Sequence, residues 1–258
     1  PFGTFEQPFS SLENAVDSDA NLIFVRAGSL FENQSVNLQD GQALLGEGEY
    51  HWIDEFTAGP VLLPQGAVNG GLPVLSGSTI VLANGNEVAG WKLLDSTADA
   101  IYGNNIQDFQ IHHNLIDGSA GSAIRLEGVH GTGAIAENVI SHNGAMVQDA
   151  STVLIETSNE GHLDLQFQAN LVEFNNQWEL ADLPEGSHVL GHAVQLSARD
   201  ESSLAVEIHE NVLAENSVPH AGVALENQTG GDVAIASGNA IQIDADDTAT
   251  ITGLVTQN

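Results

Sequence analysis

The chain has 258 residues, with 35 acidic side chains against four basic ones, a formal net charge of −31, 42% apolar residues and no cysteine. Binding to nucleic acid or an anionic membrane surface needs clustered Lys and Arg, and Arg26, Lys92, Arg125 and Arg199 are the whole basic complement, so the composition argues against both partners. Disulfides and thiolate metal sites are excluded. No apolar run reaches the roughly 18 residues of a membrane helix, so membrane insertion by this segment is not expected. The acidity itself reads as a heavily solvated, salt-tolerant surface or as capacity for divalent cations. A start at Pro1 with no Met and no basic, apolar leader reads as a processed form or a piece of something larger.

In chain order, residues 1–20 hold a candidate N-terminal cap. Ser10 or Ser11 can cap a short helix whose apolar side is Leu12, Ala15 and Val16, and a stack of strands needs such a cover because bare edges invite aggregation. Leu22-Ile23-Phe24-Val25 reads as a strand, followed by two strands around an Asp40-Gly41 turn. Tyr50 to Gly77, with Pro60, Pro64 and Pro73, reads as a long loop lying against the body, and Ser78 to Leu82 resumes the strands.

From Asn84 to Ile243 one pattern recurs: an apolar residue, two variable residues, Asn, then two apolar residues. It reads Ile111-His112-His113-Asn114-Leu115-Ile116, Ile135-Ala136-Glu137-Asn138-Val139-Ile140, Phe167-Gln168-Ala169-Asn170-Leu171-Val172 and Ile208-His209-Glu210-Asn211-Val212-Leu213. A looser copy ends at Asn239, and an earlier one carries Trp91 at the Asn position. Asn-to-Asn spacings of 24, 32, 41 and 28 residues describe a unit with insertions, a solenoid signature. Before each Asn the chain alternates apolar and polar, as in Leu163-Asp164-Leu165-Gln166-Phe167-Gln168, the period of a strand buried on one face. Asn at the corner tolerates left-handed backbone, and stacked copies would bond along the stack as a ladder of Asn114, Asn138, Asn170, Asn211 and Asn239. A second strand in each unit includes Ala123 to Glu127, Val153 to Glu156, Ala193 to Ser197 and Gly222 to Glu226, so that Tyr102, Arg125, Leu154, Gln195 and Ala224 share one outward column and Glu127, Glu156, Ser197 and Glu226 the next. No window sustains helical i, i+3, i+4 apolar spacing over ten residues. The expected fold is therefore all-β, a parallel β-helix of about seven rungs in a single domain over 1–258, with coils over 21–243, insertions at about 50–77, 145–151 and 175–192, and a terminal rung or tail at 244–258.

Gly3-Thr4-Phe5-Glu6-Gln7-Pro8-Phe9, Asn21-Leu22-Ile23-Phe24-Val25, Asp40-Gly41-Gln42-Ala43-Leu44-Leu45-Gly46-Glu47-Gly48, Leu72-Pro73-Val74-Leu75 and Val81-Leu82-Ala83-Asn84-Gly85-Asn86-Glu87-Val88-Ala89-Gly90 together resemble right-handed parallel β-helix modules of bacterial surface and secreted proteins. These are of the inverse-autotransporter passenger type, within the pectin-lyase-like superfamily. The resemblance implies right-handed coiling and an extracellular or cell-surface location. Enzymes of this fold include pectate lyases and polygalacturonases, so their chemistry is tested against the sequence. A lyase needs acidic Ca²⁺ ligands beside a base, and a hydrolase needs paired carboxylates. Arg125, Glu127 and Glu156 form the basic and acidic cluster that the register produces, readable as catalytic or as a surface salt bridge; the polygalacturonase signatures are missing.

Glu127 and Glu156, one rung apart, repel and are a candidate Ca²⁺ pair. His188 and His192, four apart on an insertion, could hold Zn²⁺ if the loop were helical and a third ligand arrived, although solvated imidazoles are the plainer reading. Trp52 and Trp178, also in insertions, are candidate glycan-stacking residues or simple loop packing. The leading functional expectation is a non-catalytic structural or adhesive module, associating with itself or with extracellular glycans. The alternative is a polysaccharide lyase, glycoside hydrolase or glycan-binding module.

Overall fold

The computed structural model of the chain describes residues 7–53, 61–63, 71–144, 151–175, 192–214, 216, 224–227, 241–246 and 248–256; for residues 52, 53, 61 and 224–227 it describes the backbone alone. The fold is a right-handed parallel β-helix with one short N-terminal helix, and its strands stack into three parallel sheets. Sheet 1 runs Leu22–Val25, Ala43–Gly46, Asn86–Ala89, Gln107–His112, His130–Ala136, His162–Gln168, Ser203–His209 and Thr250–Thr256. Sheet 2 runs Leu30–Glu32, Val74–Ser76, Lys92–Leu94, Leu115–Asp117, Val139–Ser141, Leu171–Glu173 and Val212–Ala214. Sheet 3 begins Val36–Asn37, Ile80–Leu82, Ile101–Asn104, Ile124–Glu127, Val153–Thr157 and Val194–Ala198.

Alternation decides what each strand buries. In sheet 1 the register stacks Ile23, Leu44, Val88, Ile111, Ile135, Phe167, Ile208 and Val255 in one inward column, every member buried. Sheet 3 does the same with Val36, Ile80, Ile101, Ile124, Val153, Val194 and Ile241. Each such side chain contributes about 1.5–3 kcal/mol by leaving water. A slip of one residue would turn a whole column outward, so the register is strongly specified.

The corner between sheets 1 and 2 is sealed by a ladder of amides. Asn114 Nδ2 donates to Asn138 Oδ1 at 3.1 Å, Asn138 Nδ2 to Asn170 Oδ1 at 3.0 Å, and Asn170 Nδ2 to Asn211 Oδ1 at 3.0 Å. The second amide hydrogen of each caps a main-chain carbonyl of the preceding coil, Val88 for Asn114, Ile111 for Asn138 and Ile135 for Asn170. Trp91 closes the series: its backbone N–H donates to Asn114 Oδ1 at 3.0 Å and its indole Nε1 to Leu44 O at 3.2 Å, with the ring fully buried. The left-handed residues are the ones before the amides, Gly90, His113, Glu137, Ala169 and Glu210, not the Asn residues themselves. Asn therefore serves here through its side chain, while its neighbour absorbs the turn. Asn239 lies outside the described residues.

Five residues on, a second ladder links Asn143 Nδ2 to Asn175 Oδ1 and Asn175 Nδ2 to Asn216 Oδ1, both at 3.0 Å, with Ser119 at its head. Again the preceding residues, Gly118, His142 and Phe174, are left-handed.

The helix Leu12–Val16 is capped by Ser11, whose Oγ accepts from Asn14 N. Leu12, Ala15 and Val16 join the core, and Gln42 fastens the helix to the coils through Nε2 bonds to Val16 O and Ala20 O at 2.9 and 3.1 Å.

As expected, the strands at residues 36–37 and 43–46 flank the Asp40-Gly41 turn; they lie in sheets 3 and 1 and the turn is a corner of the coil. Two expectations need correction. The 50–77 segment is not all loop, since Trp52–Ile53 pairs antiparallel with Val61–Leu62 and Val74–Ser76 is already a rung of sheet 2. Nor does the Ala224 strand stack on Gln195. Ile241–Ala245 lies there, pairing Gln195 with Gln242 and Ser197 with Asp244, and Ala224–Asn227 sits one strand farther out. The alternation of Ile241-Gln242-Ile243 matches sheet 3 as well as that of Ala224-Leu225-Glu226, and pattern alone does not rank two strands of equal period.

Candidate functional site

Two outward faces carry chemistry. On sheet 3, Tyr102, Arg125, Leu154, Gln195 and Gln242 are in register. Arg125 Nη2 donates to Glu127 Oε1 at 2.7 Å, and Arg199 Nε to Glu156 Oε2 at 2.9 Å. Arg199 was not among the residues singled out from sequence; it follows directly after the strand Val194–Ala198, and its backbone N–H bonds Thr157 O, which brings its side chain over the next coil. Burial raises the Glu156 carboxyl above its ordinary range, with Glu127 and Asp200 adding to the shift and Arg199 and Arg125 opposing it. Asp99, on the corner before this face, is likewise raised by burial and opposed by the Ser122 N–H that it accepts at 2.8 Å.

The hydrogen bond to Glu127 raises the Arg125 guanidinium farther above neutrality. A proton-abstracting base must first lose its own proton, and this geometry makes that harder for Arg125. Both carboxylates of the proposed Ca²⁺ pair are engaged by an arginine, and among the described residues no group of three or more His, Asp or Glu converges on a point that could hold a metal. The arrangement is that of a neutralised ion-pair cluster.

Sheet 1 carries an open-sided groove of about 550 Å³. Register places Gln110, Ala134, Gln166, Glu207 and Leu254 in one outward column and Thr132, Asp164, Ala205 and Thr252 in the next. The methyl side chains of Ala134 and Ala205 lie between longer neighbours, and that is why the face dips. Amide, carboxylate and hydroxyl groups repeating at the strand spacing of about 4.8 Å suit a ligand rich in hydroxyls. Phe109, which also lines the groove, is 2% exposed and offers no ring face for stacking.

His112 and His209 share an outward column of sheet 1 with Ala136 and Gln168 between them. His192 begins the run into sheet 3, its carbonyl accepting from Thr152 N at 2.7 Å, and burial lowers its imidazole. His188 and Trp178 lie outside the described residues, and Trp52 is described only as backbone in its two-residue strand. No family model, no curated protein and no solved structure matches the chain, so the fold rests on its three stacked sheets and not on kinship.

Proposed function

We propose that this chain is a non-catalytic structural and adhesive module of a bacterial cell-surface or secreted protein, of the inverse-autotransporter passenger kind. Its lateral polar face is the working surface. The observation that carries this reading is the state of the sheet 3 cluster: Arg125 and Arg199 are each paired with a carboxylate at hydrogen-bond distance, leaving neither as a base beside the acids. The groove on sheet 1 adds amide, carboxylate and hydroxyl groups for hydrogen bonding, which suits a surface that holds a hydroxyl-rich ligand. Extracellular glycans are the partner that such a face fits, and association of copies along the rod is a second mode of the same role.

A screen of acidic and neutral polysaccharides for reducing ends and unsaturated products, with and without millimolar Ca²⁺, tests the reading together with retention on the same insoluble polysaccharides. Retention without product is expected, reduced by Q166A and E207A on the groove. Turnover that disappears in E127Q or E156Q would assign a polysaccharide-cleaving enzyme instead.

A further inference from the structure

Where sheet 1 turns the corner into sheet 2, four side chains from three successive coils form one chain of contacts. His112 Nε2 meets Glu87 Oε1 at 2.9 Å, His112 Nδ1 meets His113 Nδ1 at 2.9 Å, and His113 Nε2 meets Glu137 Oε2 at 2.8 Å. The rings stand nearly perpendicular, at 82°. The corner creates this: His112 ends its strand, His113 takes the left-handed turn residue before Asn114, and Glu137 holds the same place one coil on.

The proton positions follow from donor and acceptor chemistry. An ionised carboxylate only accepts, so both Nε2 atoms carry hydrogen, and the Nδ1 atoms are left as the free lone pairs of both rings. Two lone pairs cannot face each other across 2.9 Å unless a cation lies between them. In the resting protein a single shared proton suffices. A metal ion can take its place, since a carboxylate on the far nitrogen is the arrangement that fixes the tautomer of metal-binding histidines. Two imidazole nitrogens favour Cu²⁺ over Ni²⁺ and Zn²⁺ in the Irving–Williams order, and a neighbouring pair fills two adjacent positions of a tetragonal ion.

We propose that His112 and His113 form a two-nitrogen chelate for a tetragonal divalent ion, Cu²⁺ before Ni²⁺, with water in the remaining positions and Glu87 and Glu137 as the supporting carboxylates. The side chains of His112 and His113 are 23% and 33% exposed, which keeps the pair within reach of solvent. The site is separate from the sheet 3 cluster and from the groove, and does not depend on the role proposed for either.

Calorimetric titration with Cu²⁺ in a non-coordinating buffer, paired with electron paramagnetic resonance, tests this. One ion per chain is expected at the tightest site, with hyperfine structure from two nitrogens. H112Q and H113Q should each weaken that site at least tenfold, and E87Q or E137Q should weaken it about 10- to 100-fold with both nitrogens retained. H162Q, a histidine on another part of sheet 1, should leave it unchanged. Unaltered stoichiometry and affinity in the H112Q/H113Q double variant with native circular dichroism, or a spectrum with one coordinated nitrogen, would overturn the proposal.

Discussion

Asn138 sits in the middle of the first amide ladder and is 1% exposed, so its replacement by Ala gives the sharpest test of what holds the coils in register. Its Oδ1 accepts from both the backbone N–H and the side-chain Nδ2 of Asn114, and its own Nδ2 donates to Asn170 Oδ1 and Ile111 O. Asn170 Oδ1 still receives the backbone N–H of residue 138 after the change. Three groups are orphaned: the Asn114 N–H, one Asn114 amide hydrogen and the Ile111 carbonyl. At roughly 1–2 kcal/mol for each buried, unsatisfied group, the loss is about 3–6 kcal/mol, a large share of the roughly 5–15 kcal/mol that holds a typical protein folded. N138D should be worse, because aspartate cannot donate and would bring a charge against two acceptors. Urea denaturation followed by circular dichroism reads the effect as a shift in midpoint, with the slope checked because solenoids can unfold in parts. A loss under about 1 kcal/mol for N138A, with an unchanged slope, would refute the claim that the ladder seals this corner.

A Cβ at Gly46 would collide with the carbonyl of Gly90 in the next coil, whereas Gly41 has open space around it and a positive φ of 73°. G46A should therefore cost about 1–3 kcal/mol or more by overpacking and G41A about 1–2 kcal/mol by strain alone, a ranking readable from midpoints. His51 is buried, its Nε2 donates to Gly46 O at 2.8 Å, and burial holds its pKa below the ordinary 6.5. The unfolded chain thus takes up the proton first, so this contribution to stability is present above about pH 6.5 and is lost as pH falls below it; H51Q should flatten that part of the profile. Removing Arg199 takes away an opposing charge from Glu156, so R199A should raise the Glu156 pKa further, seen by carboxyl NMR titration. A lowered or unmoved value would show that the ion pair is not formed in solution.

The local order was written in the chain. Period-two alternation before each Asn specified strands with one buried face, and Asn114, Asn138, Asn170 and Asn211 at a constant place in the unit marked one corner. The second ladder was equally legible, because Asn143, Asn175 and Asn216 each follow a first-ladder Asn by five residues, and Ser119 follows Asn114 by the same step. What tertiary structure alone decided was which strand lies on which. Ile241–Ala245 displaces Ala224–Asn227 from the coil next to Val194–Ala198, since both have the same alternation and the long connection between them leaves either order open. The pairing of Arg199 with Glu156, and of His112 and His113 with carboxylates of the coils on either side, also escaped the sequence. Neighbours in a solenoid are separated by a coil whose length changes with every insertion, and only the closed stack fixes which side chains meet across it.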